Sequence, residues 1–214
     1  MSSETTMESK RSRLDTKGDT DPDSVFWREA PAVFADRDTS GHPLPTHRTE
    51  IRSRWTNENL YFLFICPYQQ LNLKANPSRE KETFELWNWD VAEAFIGADY
   101  ANIRRYKEFE ISPQAEWVDL DIDLDSPHPV DGWKWQSGME AAARIDATHH
   151  RWYGFMRIPY RSIDSRPARA GNRLRMNLYR IEGAAPDRKL INWQPTGRPS
   201  FHTPESFGEI KLVE

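Results

Sequence analysis

The sequence predicts an all-β protein: an antiparallel β-sandwich, immunoglobulin-like or jelly-roll-like, of about nine or ten strands. Two observations predict this fold. Apolar and polar residues alternate with period two in many short segments, as half-buried strands require. Pro, Gly, Asn and Asp separate these segments, and no long apolar repeat of helical period runs through the 214 residues.

The chain is expected to divide into a disordered tail over residues 1–24 and one β-sandwich domain over residues 25–214. The tail is rich in Ser, Thr, Asp, Glu, Lys and Arg. Such a segment has too little apolar surface to offset the entropy lost on ordering. Order is therefore expected to begin near Phe26, Trp27 and Phe34.

The first two predicted strands, 49–55 and 60–66, form a hairpin around residues 56–59, because asparagine tolerates the backbone of a tight turn. The second strand is apolar on both faces, which is typical of a central strand. The other predicted strands are 90–96, 105–111, 116–123, 133–136, 139–145, 152–158, 174–181 and 207–213. Segment 139–145 also fits a short helix, and 160–165 fits one helical turn.

Composition narrows the class of partner. A formal net charge of −4 gives no basic footprint for nucleic acid. No apolar run approaches the roughly 18 residues that would span a membrane. Without an apolar signal segment the chain is expected to be cytoplasmic as written, or exported if the given start lacks its signal. The single cysteine, Cys66, rules out an internal disulfide and is expected to be buried.

The stretch with the clearest chemistry is 86–96. Trp87 and Trp89 precede a short apolar run that carries Asp90 and Glu93. A carboxylate in a buried strand is costly unless it has a partner. Flat aromatic faces beside fixed hydrogen-bonding groups suit a sugar ring, which has apolar faces and polar edges. The stretch therefore indicates a sugar-binding site. The long polar loop over 68–84 leads directly into it, and such loops are often functional.

Five blocks of sequence, in order, resemble carbohydrate-binding module family 9 and its family 9-like relatives, over roughly residues 26–213. The blocks are WTNENLY at 55–61, WNWDVAEAF at 87–95, YKEFEISP at 106–113, NLYRI at 177–181, and NWQPT at 192–196 with FHTPESFG at 201–208. Each block alone is a weak signal, and their order makes the resemblance fairly specific.

The resemblance implies non-catalytic sugar binding, associated with xylan or cellulose degradation and often with structural calcium. Members are often attached to O-glycosyl hydrolases. On the matching positions, Trp87 and Trp193 would stack on the two faces of a mono- or oligosaccharide, and Glu93 would contact it. Arg180, Asn177 and Asn192 complete the candidate set. Which sugar is bound and the oligomeric state stay open.

Strand parity leaves alternatives for three of these residues. Glu93 shares a face with Val91 and Phe95, so Glu93 and Arg180 either line a pocket or form a buried ion pair. Asn177 lies on the opposite parity to Arg180, where an exposed sheet face is expected.

A row of alternating carboxylates is the candidate for calcium, which takes six to eight oxygens. The same pattern fits a solvated acidic edge strand. The row consists of Asp119, Asp121, Asp123 and Asp125.

Three competing functions remain. A glycoside hydrolase would need a pair of carboxylates such as Glu93 with Glu108 or Glu110. A haem-binding electron-transfer sandwich would need an axial ligand such as Met156, Met176 or a histidine. The third alternative is a purely structural or partner-binding sandwich.

Overall fold

A computed structural model describes residues 5–126 and 132–214. In this part of the chain there are twelve strands and four short 3-10 turns. The strands are β1 (Thr6–Arg11), β2 (Ala32–Ala35), β3 (Thr49–Trp55), β4 (Asn59–Pro67), β5 (Val91–Gly97), β6 (Arg105–Ile111), β7 (Trp117–Asp123), β8 (Glu140–Asp146), β9 (Arg151–Pro159), β10 (Arg173–Glu182), β11 (Lys189–Asn192) and β12 (Gly208–Val213). The turns are Pro45–His47, Leu86–Asn88, Tyr160–Ser162 and Pro204–Ser206.

The strands form one continuous sheet that folds over on itself as a sandwich. Its order is β7-β6-β5-β10-β12-β1-β3-β4-β9-β8, with β11 beside β10 and β2 beside β3. Strands near opposite ends of this order pack face to face. Gly154 in β9 shows how closely they approach, since a Cβ added to it would lie 3.1 Å from a methyl carbon of Ile111 in β6. Side chains from both halves share one core. The predicted sandwich is confirmed, and its finer subtype stays a prediction.

The central position of β4 follows from its sequence. Its even-numbered side chains, among them Phe62 and Phe64, enter the core between the two halves of the sheet. Its odd-numbered side chains, among them Tyr61 and Leu63, pack under the segment that contains Trp27. Both parities are apolar because both faces are covered. The prediction of a central strand, and of the hairpin that joins it to β3, is confirmed.

The expected disorder over residues 1–24 is wrong where the chain forms β1. Residues 6–11 lie between β12 and β3 and pair with both in parallel register. Met7 is fully buried in the core, and the Ser9 hydroxyl bonds that of Ser53 at 2.8 Å. Two buried side chains on one face are enough to order β1, because the neighbouring strands supply hydrogen bonds to its backbone. The sheet is therefore not wholly antiparallel.

Other differences concern short elements. Strands β2 and β11 were not predicted, since each has only four residues. Segment 133–136 forms a single bridge, from Lys134 to Leu120, rather than a strand. Segment 139–145 is a strand rather than a helix, and the helical turn after β9 is confirmed. No helix in the described ranges combines the length and apolar character that a membrane crossing needs.

A second apolar cluster lies on the outer face of β5, β6, β7 and β10. It includes Phe95, Tyr106, Leu120 and Tyr179. Loop residues from 84–87, 133 and 201 extend it outward from the sheet. This face, rather than the core between the two halves, carries the candidate site.

Candidate functional site

An open cavity of about 630 Å³ lies on this outer face. That volume is in the range of small-ligand sites. Its wall is largely aromatic and its floor is acidic. The lining residues are Phe84, Trp87, Phe95, Leu120, Gly132, Trp133, Ile181, Leu190, Pro199, Phe201 and His202, with Glu93, Glu108, Glu110, Arg188 and Ser200 as further polar members.

Three glutamates form the floor, and strand geometry explains why they meet. Glu108 and Glu110 are two residues apart in β6, so both side chains leave the same face of the sheet. Glu93 in β5 is the register partner of Glu110. One carboxylate oxygen from each lies within 4.8 Å of the others, and all three side chains are buried.

These carboxyls favour the protonated form. Burial is the main cause that raises the pKa of each, to about 7 for Glu108. Neighbouring carboxyls raise the pKa of Glu93 and Glu110 further, because like charges in one site oppose ionisation. Within the described ranges, no N–H donates to Glu93 Oε1, Glu108 Oε2 or either oxygen of Glu110. Glu110 has the carboxyl of Glu108 as a neighbour with which it can share a proton.

Two basic side chains border the floor. Arg188 donates a hydrogen bond to the carbonyl oxygen of Trp87, and its charge acts to lower the pKa of Glu93 and Glu110. The Nε2 atom of His202 lies 4.0 Å from Glu108 Oε2, and its Nδ1 atom lies 2.6 Å from the hydroxyl oxygen of Tyr106. The floor can therefore accept hydrogen bonds from a ligand, and its rim can donate them.

The aromatic wall is held by ring contacts. Trp87 meets Phe84 edge to face, with ring centroids 5.3 Å apart. Phe201 stacks on Tyr179 with centroids 4.1 Å apart and planes 9° apart. Trp87 remains partly exposed toward the cavity. Such rings offer flat apolar faces whose positions are fixed before a ligand arrives.

The sequence matches the family described as carbohydrate family 9 binding domain-like over residues 16–214. The chain belongs to this family. The match begins after β1 and covers the chain from β2 to β12, so the predicted family is confirmed.

One protein of similar sequence and two solved structures of similar fold match most of this chain. An extracellular protein from Arthroderma benhamiae is 25% identical in an alignment of 181 residues that covers 79% of this chain and 80% of that protein. A Bacteroides uniformis protein, solved as a candidate for carbohydrate binding, superposes with a TM-score of 0.75 at 14% identity, covering 97% of this chain and 98% of that one. A family 9 module from Caldicellulosiruptor kristjanssonii, solved with cellotriose, gives 0.67 at 13% identity, with 97% and 93% covered.

Of the six predicted binding residues, the structure brings Trp87 and Glu93 into the cavity. Trp193 is not there: it is buried in the core between the two halves of the sandwich. Its backbone N–H donates to Leu178 at 3.0 Å, and a Cβ added to Gly208 would lie 2.9 Å from its ring. In this family 9-like chain, Trp193 closes the core rather than lining the cavity.

Arg180 and Glu93 do not pair. Arg180 is the register partner of Ala92, so its side chain leaves the opposite face of the sheet from Glu93. It is fully buried and binds Glu182 at 2.7 Å and the Thr49 hydroxyl at 3.2 Å. The expectation of a buried ion pair is confirmed for Arg180, but its partner is Glu182 and not Glu93.

Asn177 and Asn192 hold backbone rather than lining the cavity. The Asn177 amide donates to the Tyr179 hydroxyl at 2.8 Å and to the carbonyl of Gln194 at 2.9 Å, and its oxygen accepts from the backbone of Gln194 at 3.1 Å. Asn192 donates to the carbonyl of Leu190. Both residues are fully buried, so the expected exposed face at Asn177 is wrong.

The aspartate row does not fit a calcium site. Asp121, Asp123 and Asp125 face Lys107, Arg105 and Arg104 in ion pairs of 2.5, 2.7 and 2.5 Å. Asp119 is buried and accepts hydrogen bonds from Ser137. Basic and hydroxyl groups already occupy oxygens that a cation would need.

The two methionines proposed as haem ligands lie away from the cavity, which His202 lines. Met156 and Met176 are fully buried in the core between the halves, whereas the cavity is on the outer face. Cys66 is buried in that same core, and burial raises the pKa of its thiol to about 12, as expected of a structural cysteine.

Asp90 was expected to need a partner, because burying a carboxylate without one is costly. Its carboxylate accepts hydrogen bonds from the backbone N–H of Gly183 at 2.6 Å and of Asn72 at 3.2 Å.

Several lining residues were not assigned to sugar binding. Glu108 and Glu110 were considered only as hydrolase partners of Glu93, although their alternation already placed them on one face. Phe201 and His202 lie in a block that carries the family resemblance, but the resemblance gives them no role in binding. Arg188 and Trp133 have no local signal, because each reaches the cavity from a loop.

Proposed function

We propose that the cavity binds a saccharide without cleaving it. The observation that carries this proposal is the combination of an aromatic wall with a floor of hydrogen-bonding carboxyls in one open cavity. A sugar ring has apolar C–H faces and a rim of hydroxyls, so it uses both parts together.

Trp87 is the proposed stacking residue. Its ring is partly exposed at the cavity, and its contact with Phe84 fixes its orientation. By analogy with aromatic pairs, a stacked face contributes about 0.5–1.5 kcal/mol beyond the area it buries. Hydrogen bonds to charged groups contribute about 1.5–3 kcal/mol each. A total of about 4–8 kcal/mol corresponds to millimolar to micromolar affinity.

The proposed ligand class is short saccharides of the cellulose or xylan type. Support comes from the family 9 module with a similar fold that was solved with cellotriose. The volume of about 630 Å³ accommodates a small saccharide better than a polymer chain along a flat face.

Binding without hydrolysis is favoured by the electrostatics of the floor. Glycosidases pair a protonated carboxyl with an ionised one. Here burial and mutual repulsion raise the pKa of Glu93, Glu108 and Glu110 alike, so none is singled out as the ionised member. Hydrolysis of an aryl glycoside that disappears in Glu93→Gln would contradict the non-catalytic form of the proposal.

The test is a tryptophan fluorescence titration with glucose, cellobiose, xylose and xylobiose. Wild type is expected to give a saturable change with at least one sugar, and Trp87→Ala is expected to weaken that binding by about tenfold or more. Trp89→Ala is the matched control, because Trp89 is two residues away and does not line the cavity. Equal affinities in the two variants, or no change with any sugar in wild type, would overturn the proposal.

A further inference from the structure

The floor of the cavity carries more acidic groups than nearby cations can balance. Glu93, Glu108 and Glu110 are each at least nine-tenths buried, and four of their six oxygens receive no hydrogen bond from an N–H donor in the described ranges. Arg188 is the guanidinium beside them, and one of its hydrogen bonds goes to a carbonyl instead. A buried acceptor without a donor is costly, so these oxygens are suited to a donor that a ligand brings.

The wall favours an organic cation in particular. Trp87, Trp133, Phe95 and Phe201 line the same cavity. The faces of aromatic rings attract ammonium groups, and the attraction grows when water is excluded. An acidic floor under aromatic walls therefore favours a ligand with one positive charge on an otherwise apolar or hydroxylated ring.

A divalent metal ion fits the same carboxyls less well. Calcium takes six to eight oxygens, and magnesium demands near-octahedral oxygen coordination. The three glutamates bring carboxylate oxygens within 4.8 Å of one another, but most of the remaining lining is aromatic or aliphatic. Aromatic carbon supplies no ligand to a metal ion, whereas it does attract an ammonium group.

We propose that the cavity prefers a sugar that bears a protonated amine, an amino sugar, over the corresponding neutral sugar. This inference rests on the proposed sugar binding and specifies its ligand. When the ammonium group binds, its charge favours ionisation of one of Glu93 and Glu110, and that proton passes to solvent. The ammonium group donates to the carboxylate so formed and to the neighbouring carboxyl oxygen, while the sugar ring lies against Trp87. A charged hydrogen bond is about twice as strong as a neutral one, which corresponds to roughly tenfold tighter binding.

The experiment compares glucosamine with glucose by isothermal titration calorimetry on the full chain, in one buffer near neutral pH with a chelator present. Glucose carries a hydroxyl where glucosamine carries the ammonium group, so the pair differs in charge with nearly the same shape. Glucosamine is expected to bind about tenfold more tightly. In Glu110→Gln that ratio is expected to fall to about one, whereas the exposed control Glu80→Gln should keep the wild-type ratio. If Glu110→Gln fails to fold, Glu93→Gln supplies the same comparison.

The outcomes separate this inference from the proposed function. Equal binding of the two sugars would overturn the amine preference and leave sugar binding intact. Binding of neither would overturn both. In a parallel titration without chelator, calcium binding in wild type that is lost in Glu110→Gln would identify a metal site and overturn the inference.

Discussion

Glu93 and Glu110 are direct register partners across β5 and β6, and both carboxyls are buried on the same face of the sheet. Opposed residues in neighbouring strands bring their side chains into contact, so like charges there repel. Glu108 adds a third carboxyl next to them. The sequence thus places acidic groups where folding alone would not favour them. A ligand site is a physical reason for such an arrangement.

The first prediction concerns pH and stability. A carboxyl whose folded pKa is raised stabilises the fold fully below its unfolded pKa, and that stability is lost as the pH rises through the folded pKa. For Glu108 this loss of stability begins as the pH rises past about 4.5 and continues until the pH passes about 7. Arg188 opposes it, and His202 and Tyr106 also face this cluster. The free energy of unfolding in urea is expected to fall by about 1–3 kcal/mol between mildly acidic and mildly alkaline pH.

Glu110→Gln should flatten this dependence, because it removes one titratable carboxyl with little change in side-chain volume. Glu80→Gln, on the exposed loop, should leave it as in wild type. A wild-type protein that becomes steadily more stable through this pH range would show that the cluster is ionised and compensated in the folded state.

The second prediction concerns Asn177. Its amide holds Tyr179 and the backbone at Gln194 in a fully buried position. Asn177→Ala should lower the free energy of unfolding by about 2–4 kcal/mol, since it leaves several buried groups without partners. Asn57→Ala removes one exposed bond to Arg11 and should cost little. Chemical denaturation measures both, and similar costs for the two variants would show that Asn177 does not hold this loop.

The third prediction tests whether Arg180 is structural. Removing one partner of a buried ion pair costs about 3–5 kcal/mol, because the other charge is left buried. Arg180→Met alone should therefore be strongly destabilising, and Arg180→Met with Glu182→Gln should recover part of that loss. Sugar affinity of the folded double variant should match wild type, because neither residue lines the cavity. A large drop in affinity with unchanged stability would instead place Arg180 in binding.

The fourth prediction concerns β1. Met7 is fully buried, so Met7→Ala should lower the free energy of unfolding by about 2–4 kcal/mol. Its exposed neighbour is the control, and Glu8→Ala should stay within about 0.5 kcal/mol of wild type. If thermal or urea unfolding shows Met7→Ala to be as neutral as Glu8→Ala, residues 6–11 contribute no packing.

Local patterns predict most of this fold because they report on local geometry. The double-sided apolar run of 60–66 identified β4, and the alternation at 105–111 gave β6 its observed bounds. The same patterns missed β1, whose order depends on parallel pairing with residues some two hundred positions away. Polar composition alone could not reveal that neighbours would supply its hydrogen bonds.

The site was predictable only in part, for a related reason. Trp87 and Glu93 lie in one stretch, so their proximity followed from the sequence. Trp193 has the same chemistry as Trp87, but contacts with Gly208 and the core decide on which side of the sheet its ring lies. Arg188 reaches the cavity from a loop, and no periodicity reports where a loop residue points.

The most direct test of the central claim is a titration followed by the indole N–H signals of the nine tryptophans in ¹⁵N-labelled protein, with glucose and cellotriose as probes. The account predicts saturable shifts for Trp87 and Trp133, which line the cavity, with little change for the fully buried Trp27 and Trp152. Saturable shifts confined to tryptophans outside the cavity, or no shift with either sugar, would contradict the assignment of the cavity as a saccharide site.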